Sequence, residues 1–335
     1  MTGPDSAYDR KLQEELANYR DVEMVHDLPP IAEYWAATHL VPIARQFGFS
    51  TITQFYCQYI LKFRSAQPSV NELHIISIGA GNCDQEAEIA GQLVAEGVSG
   101  FVIECVDINP DMLERGRQAA TEKNLLTHMA FNCGDVAATG MDRTAHIIIA
   151  NQSLHHMVEL ELMFSKICEC LHPQGYFLTH DMIGRNGHQR WPEALRIIEQ
   201  LWSELPSRYK YNHQLQTRDE MFVNRDCSQE GFEGIRAQDI LPLLTDRFDF
   251  ELFLAYGNLI DVFVDRGYGP NFAADSIDDR QYIDRIHALD QQLLESGEIK
   301  PTRLLAAMMH KGAGAELQCY RNLTPQFCLR DPDKS

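Results

Sequence analysis

The chain has 335 residues, 44% of them hydrophobic, enough for one large domain with a full core and sizeable additions. Lys and Arg number 29 against 48 Asp and Glu, a formal charge of −19 that repels nucleic-acid phosphates and anionic membranes. The nine cysteines are scattered and odd in number, which argues against a disulfide framework and for reduced thiols in a cytoplasmic protein; no apolar run reaches the ~18 residues of a membrane span.

Residues 1–70 read as helical. Ile31–Leu40 forms an aromatic-bearing helix that Pro42 kinks or restarts, and Ile52, Phe55, Tyr56, Tyr59, Ile60 and Phe63 recur at helical spacing. The run His74–Ile78 then ends in Gly79-Ala80-Gly81-Asn82, and a helix begins near Asp84. Strand, glycine turn and helix open a nucleotide-binding βαβ unit. Strands follow at Phe101–Asp107, Met129–Cys133, His146–Ala150 and Gly175–His180, with helices at Pro110–Ala120 and Leu160–Leu171 between them. This alternation predicts an α/β fold with a doubly wound, mostly parallel sheet. Two stretches break it and read as insertions, 182–235 and 258–300. Phe248–Tyr256 and Arg303–Met309 supply two more strands, for seven in all. The expected organisation is a helical N-terminal cover (1–70), a cofactor-binding domain (71–312) and a C-terminal tail (313–335).

Asp107 ends the second strand, where a carboxylate can accept both hydroxyls of a ribose; it also fits a helix cap before Asn109-Pro110. Asp135 ends the third, where it can accept an adenine amino group or simply close a turn. The dinucleotide fingerprint requires a glycine at position 84, which here is Asp84, a charge unfavourable beside a pyrophosphate. S-adenosylmethionine carries no phosphate and presents a sulfonium and an ammonium, so it suits this loop better than NAD does.

The runs Ile76-Ser77-Ile78-Gly79-Ala80-Gly81-Asn82 and Val106–Leu113, the pair Gly134-Asp135, and Asn151-Gln152-Ser153-Leu154-His155-His156 resemble the motifs of class I S-adenosylmethionine-dependent methyltransferases, in the family's order. The resemblance implies a seven-stranded Rossmann-like sheet with the cofactor over its carboxyl edge. It places Gly79, Ala80, Gly81 and Asn82 at the methionine part, Asp107 at the ribose and Asp135 at the adenine. Ile108 and Val136 would flank the ring, and Asn151 and Gln152 would lie near the methionine end. The chain departs from the family at Ser77, where an acid is common, and at Cys83, which replaces the third loop glycine.

Methyl transfer from a sulfonium needs positioning and exclusion of water, and a base where the acceptor must lose a proton. His155 and His156, after the fourth strand, are candidate bases; His180 and Asp181, at the end of the fifth, are the second option. Trp191, Tyr209 and Tyr211 are expected to line a substrate pocket. His180, Asp181 and a distant histidine offer metal-binding side chains, but their spacing is no ligand signature, and no metal is expected. The resulting expectation is a methyltransferase acting on an O or N atom, or on C, of a small molecule. It has no nucleic-acid or membrane partner, and a homodimer is compatible. The alternatives are a cofactor-binding regulatory or scaffold protein without turnover and, behind it, an NAD-dependent oxidoreductase.

Overall fold

The computed structural model describes residues 7–19, 28–135, 143–229 and 231–331. Before the sheet come α1 (Ala7–Asn18), α2 (Pro30–Trp35), α3 (Val41–Ala44) and α4 (Ile52–Ala66). Between α2 and α3, residues Ala36–Leu40 form a π-helical turn. Pro42 accounts for it: with no N–H and a ring that collides with the carbonyl four residues earlier, it forces the preceding turn to widen. The N-terminus of α4 is capped by Thr51, whose hydroxyl accepts from Gln54 N at 3.1 Å. The apolar stripe of α4, from Phe55 to Phe63, is buried as its spacing predicts.

The alternating part is β1 (Leu73–Ile78), α5 (Asp84–Ala95), β2 (Phe101–Asp107), α6 (Pro110–Glu122), β3 (Met129–Cys133), β4 (Ala145–Asn151), α7 (Leu160–Cys170) and β5 (Leu171–Met182). Between β5 and the next sheet strand lie α8 (Pro192–Glu204), the two-residue strands β6 (Tyr211–Asn212) and β7 (Thr217–Arg218), and α9 (Ala237–Arg247). The chain finishes with β8 (Phe248–Tyr256), α10 (Leu259–Val264), α11 (Ile277–Ser296), β9 (Arg303–His310), β10 (Gln318–Cys319) and α12 (Pro325–Cys328).

Strands order as β3-β2-β1-β4-β5-β9-β8-β10. The first five are parallel, and β9 runs antiparallel between β5 and β8. The sheet thus has eight strands rather than the expected seven, because Gln318–Cys319 pairs with β8 at the edge. Two residues are too few to show a period.

The apolar continuity of β1 and β4 reflects burial on both faces. Ile75, Ile147 and Ile149 pack on one side with α4 and α5, whereas Ile76, Ile78 and Ile148 pack on the other with α7, α8 and α9. Because β1 pairs with β2 on one side and β4 on the other, the chain order reverses at β1. A crevice opens there beyond the carboxyl ends of β1 and β4, the place where doubly wound sheets hold ligands. No described helix is long and apolar enough to cross a membrane.

Candidate functional site

The crevice is a cavity of about 230 Å³. Its floor is the loop after β1. Gly79 has φ +66°, and a Cβ there would lie 2.5 Å from the Ser153 Cβ. Only glycine lets the loop after β4 approach this closely, and Ser153 Oγ secures the contact by donating to Ile78 O at 2.8 Å. Cys83 explains its own departure from the family. It adopts the left-handed backbone (φ +58°) that a glycine would take, at the N-cap position of α5 and with no side-chain cap bond. The room for its side chain comes from α6, where a Cβ on Gly116 would stand 2.8 Å from the Cys83 sulfur.

Asp107 is fixed from two sides. Oδ2 accepts from Gly81 N and Oδ1 from Asn109 N, both at 2.8 Å. Burial raises its carboxyl above the ordinary range, an effect these two backbone donors partly offset. A carboxylate offers about four acceptor positions, so one per oxygen remains for a ligand. The cap of α6 is Asn109 rather than Asp107: its side chain accepts from Asp111 N and Met112 N.

An acid from α5 stands beside Ser77. Glu86 is 2% exposed, lies on the cavity wall and accepts from Ser77 Oγ at 2.6 Å. Burial raises its carboxyl to about 7, although the Ser77 bond pulls the other way. The sequence does signal this residue: Glu86 occupies the stripe of Ile89, Ala90 and Leu93, an acid on a face that is otherwise core.

The structure brings nearly every residue expected around the cofactor to this one cavity. Gly79, Ala80, Gly81 and Asn82 form its floor, Asp107, Ile108 and Asp135 one side, and Asn151 and Gln152 another. Val136 lies outside the described residues. Tyr56 on α4 orients Asn151 by donating to its Oδ1 at 3.1 Å.

The residues expected to carry chemistry separate. His156 faces the cavity; His155, His180 and Asp181 do not line it. Asp181 is fully buried, and its carboxylate accepts from Ser153 N, Leu154 N and Met182 N at 2.8–2.9 Å and meets His155 Nδ1 at 2.5 Å. Burial would lower the His155 pKa, but the Asp181 carboxylate and then Glu233 outweigh it and lift the imidazole to about 10. His155 is therefore charged at neutral pH in this arrangement and is no proton acceptor there. His180 pairs instead with the Tyr256 hydroxyl at 2.7 Å. Trp191, Tyr209 and Tyr211 do not reach the cavity either. Trp191 stacks between Arg185 and Arg330, and the buried Tyr209 donates to Asp279.

Several site residues have no sequence signal. Glu15, in the last turn of α1, and Tyr19, just after it, line the cavity. Glu15 Oε1 lies 2.8 Å from His156 Nδ1, and its Oε2 accepts from Phe232 N at 3.0 Å. The Tyr19 ring meets His156 edge-on at 6.0 Å, and Tyr19 O accepts from Arg115. Phe232 lines the cavity and Glu233 points toward the histidines.

Residues 69–235 match a family model described as a methyltransferase domain. No curated protein matches the chain. Among solved structures, geranyl diphosphate C-methyltransferase from Streptomyces coelicolor A3(2), with Mg²⁺, geranyl diphosphate and S-adenosyl-L-homocysteine bound, is similar at TM-score 0.45 and 12% identity over 92% of this chain and 100% of that one. The O-methyltransferase of a trans-AT PKS multienzyme from Brevibacillus brevis, in complex with S-adenosyl-L-homocysteine, is similar at TM-score 0.44 and 12% identity, covering 87% and 82%. DszA carbon methyltransferase is similar at TM-score 0.34 and 17% identity, over 39% of this chain and 35% of that one. With the motif order, the glycine loop and the Asp107 cradle, the matched domain makes the chain a class I S-adenosylmethionine-dependent methyltransferase.

Proposed function

We propose that the enzyme transfers the methyl group to an oxygen or nitrogen of a small molecule, with carbon as the alternative acceptor, and that His156 takes the acceptor's proton. The observation that carries this reading is the placement of His156. It is the one histidine of the expected set on the cavity wall, and Glu15 stands 2.8 Å behind its Nδ1. Glu15 beside Nδ1 and Glu233, 3.5 Å from Nε2, flank the ring and hold the imidazole at the wall between two carboxylates. The pair His155–Asp181 holds the same loop rigid from below, so its role is to position His156.

The cofactor would lie with its ribose on Asp107, its adenine beside Asp135 and Ile108, and its methionine end along Gly79–Asn82. Glu86, bonded to Ser77, takes the place of the acid that the family commonly carries before its first glycine. Its carboxylate would accept from the methionine ammonium. Segments 1–70 and 182–235 serve as the cover that excludes water, a reading supported by Glu15, Tyr19 and Phe232 on the wall. The second insertion, 258–300, braces that cover. Asp284 on α11 accepts from Tyr34, and His287 meets Trp35 Nε1 at 3.2 Å.

The test is methyl transfer from isotopically labelled S-adenosylmethionine to a panel of phenols, aliphatic alcohols, amines and acidic carbon compounds. Turnover on one class, reduced about 10²–10⁴-fold in His156→Ala with donor affinity unchanged, is the expected result. Wild-type turnover in that variant contradicts the assignment of the base.

A further inference from the structure

Beside His156 lies a second group of side chains, which His155 shares with two residues that the reading above leaves unused. His155 Nε2, His188 Nε2 and an oxygen of Glu233 all lie within 4.8 Å of one another. Glu233 Oε1 is 3.5 Å from His155 Nε2 and 2.5 Å from His188 Nε2, and its Oε2 is 3.5 Å from His156 Nε2. Donors about 2.1 Å from one tetrahedral ion are separated from each other by about 3.4 Å, so small shifts of the partly exposed Glu233 place all three around one centre.

The local architecture is built to hold this arrangement. The Asp181 carboxylate at His155 Nδ1 keeps a proton on that nitrogen, as carboxylates do behind metal-bound imidazoles, so Nε2 is the atom left to coordinate, and a bound dication would displace the proton it carries in the free protein. His188 and Glu233 come from loops 45 residues apart, locked back to back. Gly187 N donates to Gly234 O at 2.8 Å, and both glycines have positive φ, +62° and +66°. A Cβ on Gly187 would lie within bonding distance of the Asp226 carboxylate, and one on Gly234 would lie 3.0 Å from the His188 ring. His188 itself sits at φ +56°, a strained conformation for a non-glycine residue, and such strain concentrates where a side chain must be aimed.

We propose that His155, His188 and Glu233 bind a first-row transition-metal dication. Two imidazoles and one carboxylate select Zn²⁺, Co²⁺, Fe²⁺ or Mn²⁺ over the all-oxygen preference of Mg²⁺ and Ca²⁺. Three protein donors leave a coordination position open, next to the residue that reaches the cofactor cavity. This revises the expectation that no metal is used. It does not rest on His156 being the base, because its readout is metal binding alone.

The experiment takes the full chain stripped with a chelator and titrates it with Zn²⁺ by calorimetry and with Co²⁺ by visible absorption. Stoichiometric binding of one ion per chain, with affinity reduced at least about tenfold in both His188→Ala and Glu233→Gln, supports the site. Thermal melts confirm that the variants are folded; Glu233→Gln preserves side-chain volume and carries the test should His188→Ala unfold. Absence of stoichiometric binding overturns the proposal, and so does wild-type affinity in a folded variant.

Discussion

Replacing Asp107 with Ala separates two roles that one carboxylate now combines. In the free protein its oxygens accept from Gly81 N and Asn109 N, each at 2.8 Å, so it ties the glycine loop to the start of α6. Losing charge-assisted bonds of this kind costs on the scale of about 1.5–3 kcal/mol. Burial, which raises the Asp107 pKa, offsets part of that, and a net stability loss of roughly 1–3 kcal/mol follows for Asp107→Ala. In the complex, the two remaining acceptor positions meet the ribose hydroxyls. Losing that pair costs about 1.5–3 kcal/mol of binding, or roughly 10–150-fold in Kd. Asp107→Asn keeps one oxygen and falls between. Calorimetry with S-adenosylhomocysteine on the wild type and both variants, beside thermal melts, measures both effects. A folded Asp107→Ala with wild-type affinity would refute the ribose role and leave Asp107 as a backbone clamp only.

Three further outcomes follow from the same geometry. Glu86, raised to about 7 from an ordinary 4.5, stays protonated in the fold to higher pH than in the unfolded chain. Its contribution is therefore fully present below about pH 4.5 and is lost as pH rises through 7, so the free protein is roughly 2–3 kcal/mol less stable at pH 8 than at pH 5 from this group. Urea unfolding of wild type and Glu86→Gln at both pH values checks this; equal pH dependence in the two would count against it. Gly79→Ala puts a Cβ 2.5 Å from Ser153 Cβ on a backbone at φ +66°, so about 1–3 kcal/mol of stability and most cofactor affinity should disappear; a wild-type melt would contradict the close approach. Glu15→Gln should lower turnover through its partner His156 while donor affinity changes little, as initial-rate kinetics on any accepted substrate would show; an unchanged kcat would mean that Glu15 only anchors α1.

Much of the parallel sheet was legible because β4 and most of β1 are buried on both faces and read as near-continuous apolar runs, and β2 stays apolar apart from Glu104 and its terminal Asp107. The cofactor side was legible too, since Gly79–Asn82, Asp107, Asp135 and Asn151 each follow a strand and topology alone gathers strand ends at one edge. What stayed hidden depends on long-range packing. Nothing in the text around Glu15 or Glu233 marks them, because what defines them is contact with residues 141 and 78 positions away, His156 and His155. His155 and His156 are adjacent in sequence yet have opposite environments, one sealed against Asp181 and one on the wall, a distinction set by the 3-10 turn Leu154–His156. Cys83 looked like a defect in the loop until Gly116, on another helix, showed where the missing space had gone.

The most direct measurement is a crystal structure with S-adenosylhomocysteine bound. The ribose hydroxyls on Asp107, the adenine beside Asp135 and the sulfur facing His156 are the expected result. A ligand seated elsewhere, or a sulfur turned away from His156, would contradict the site.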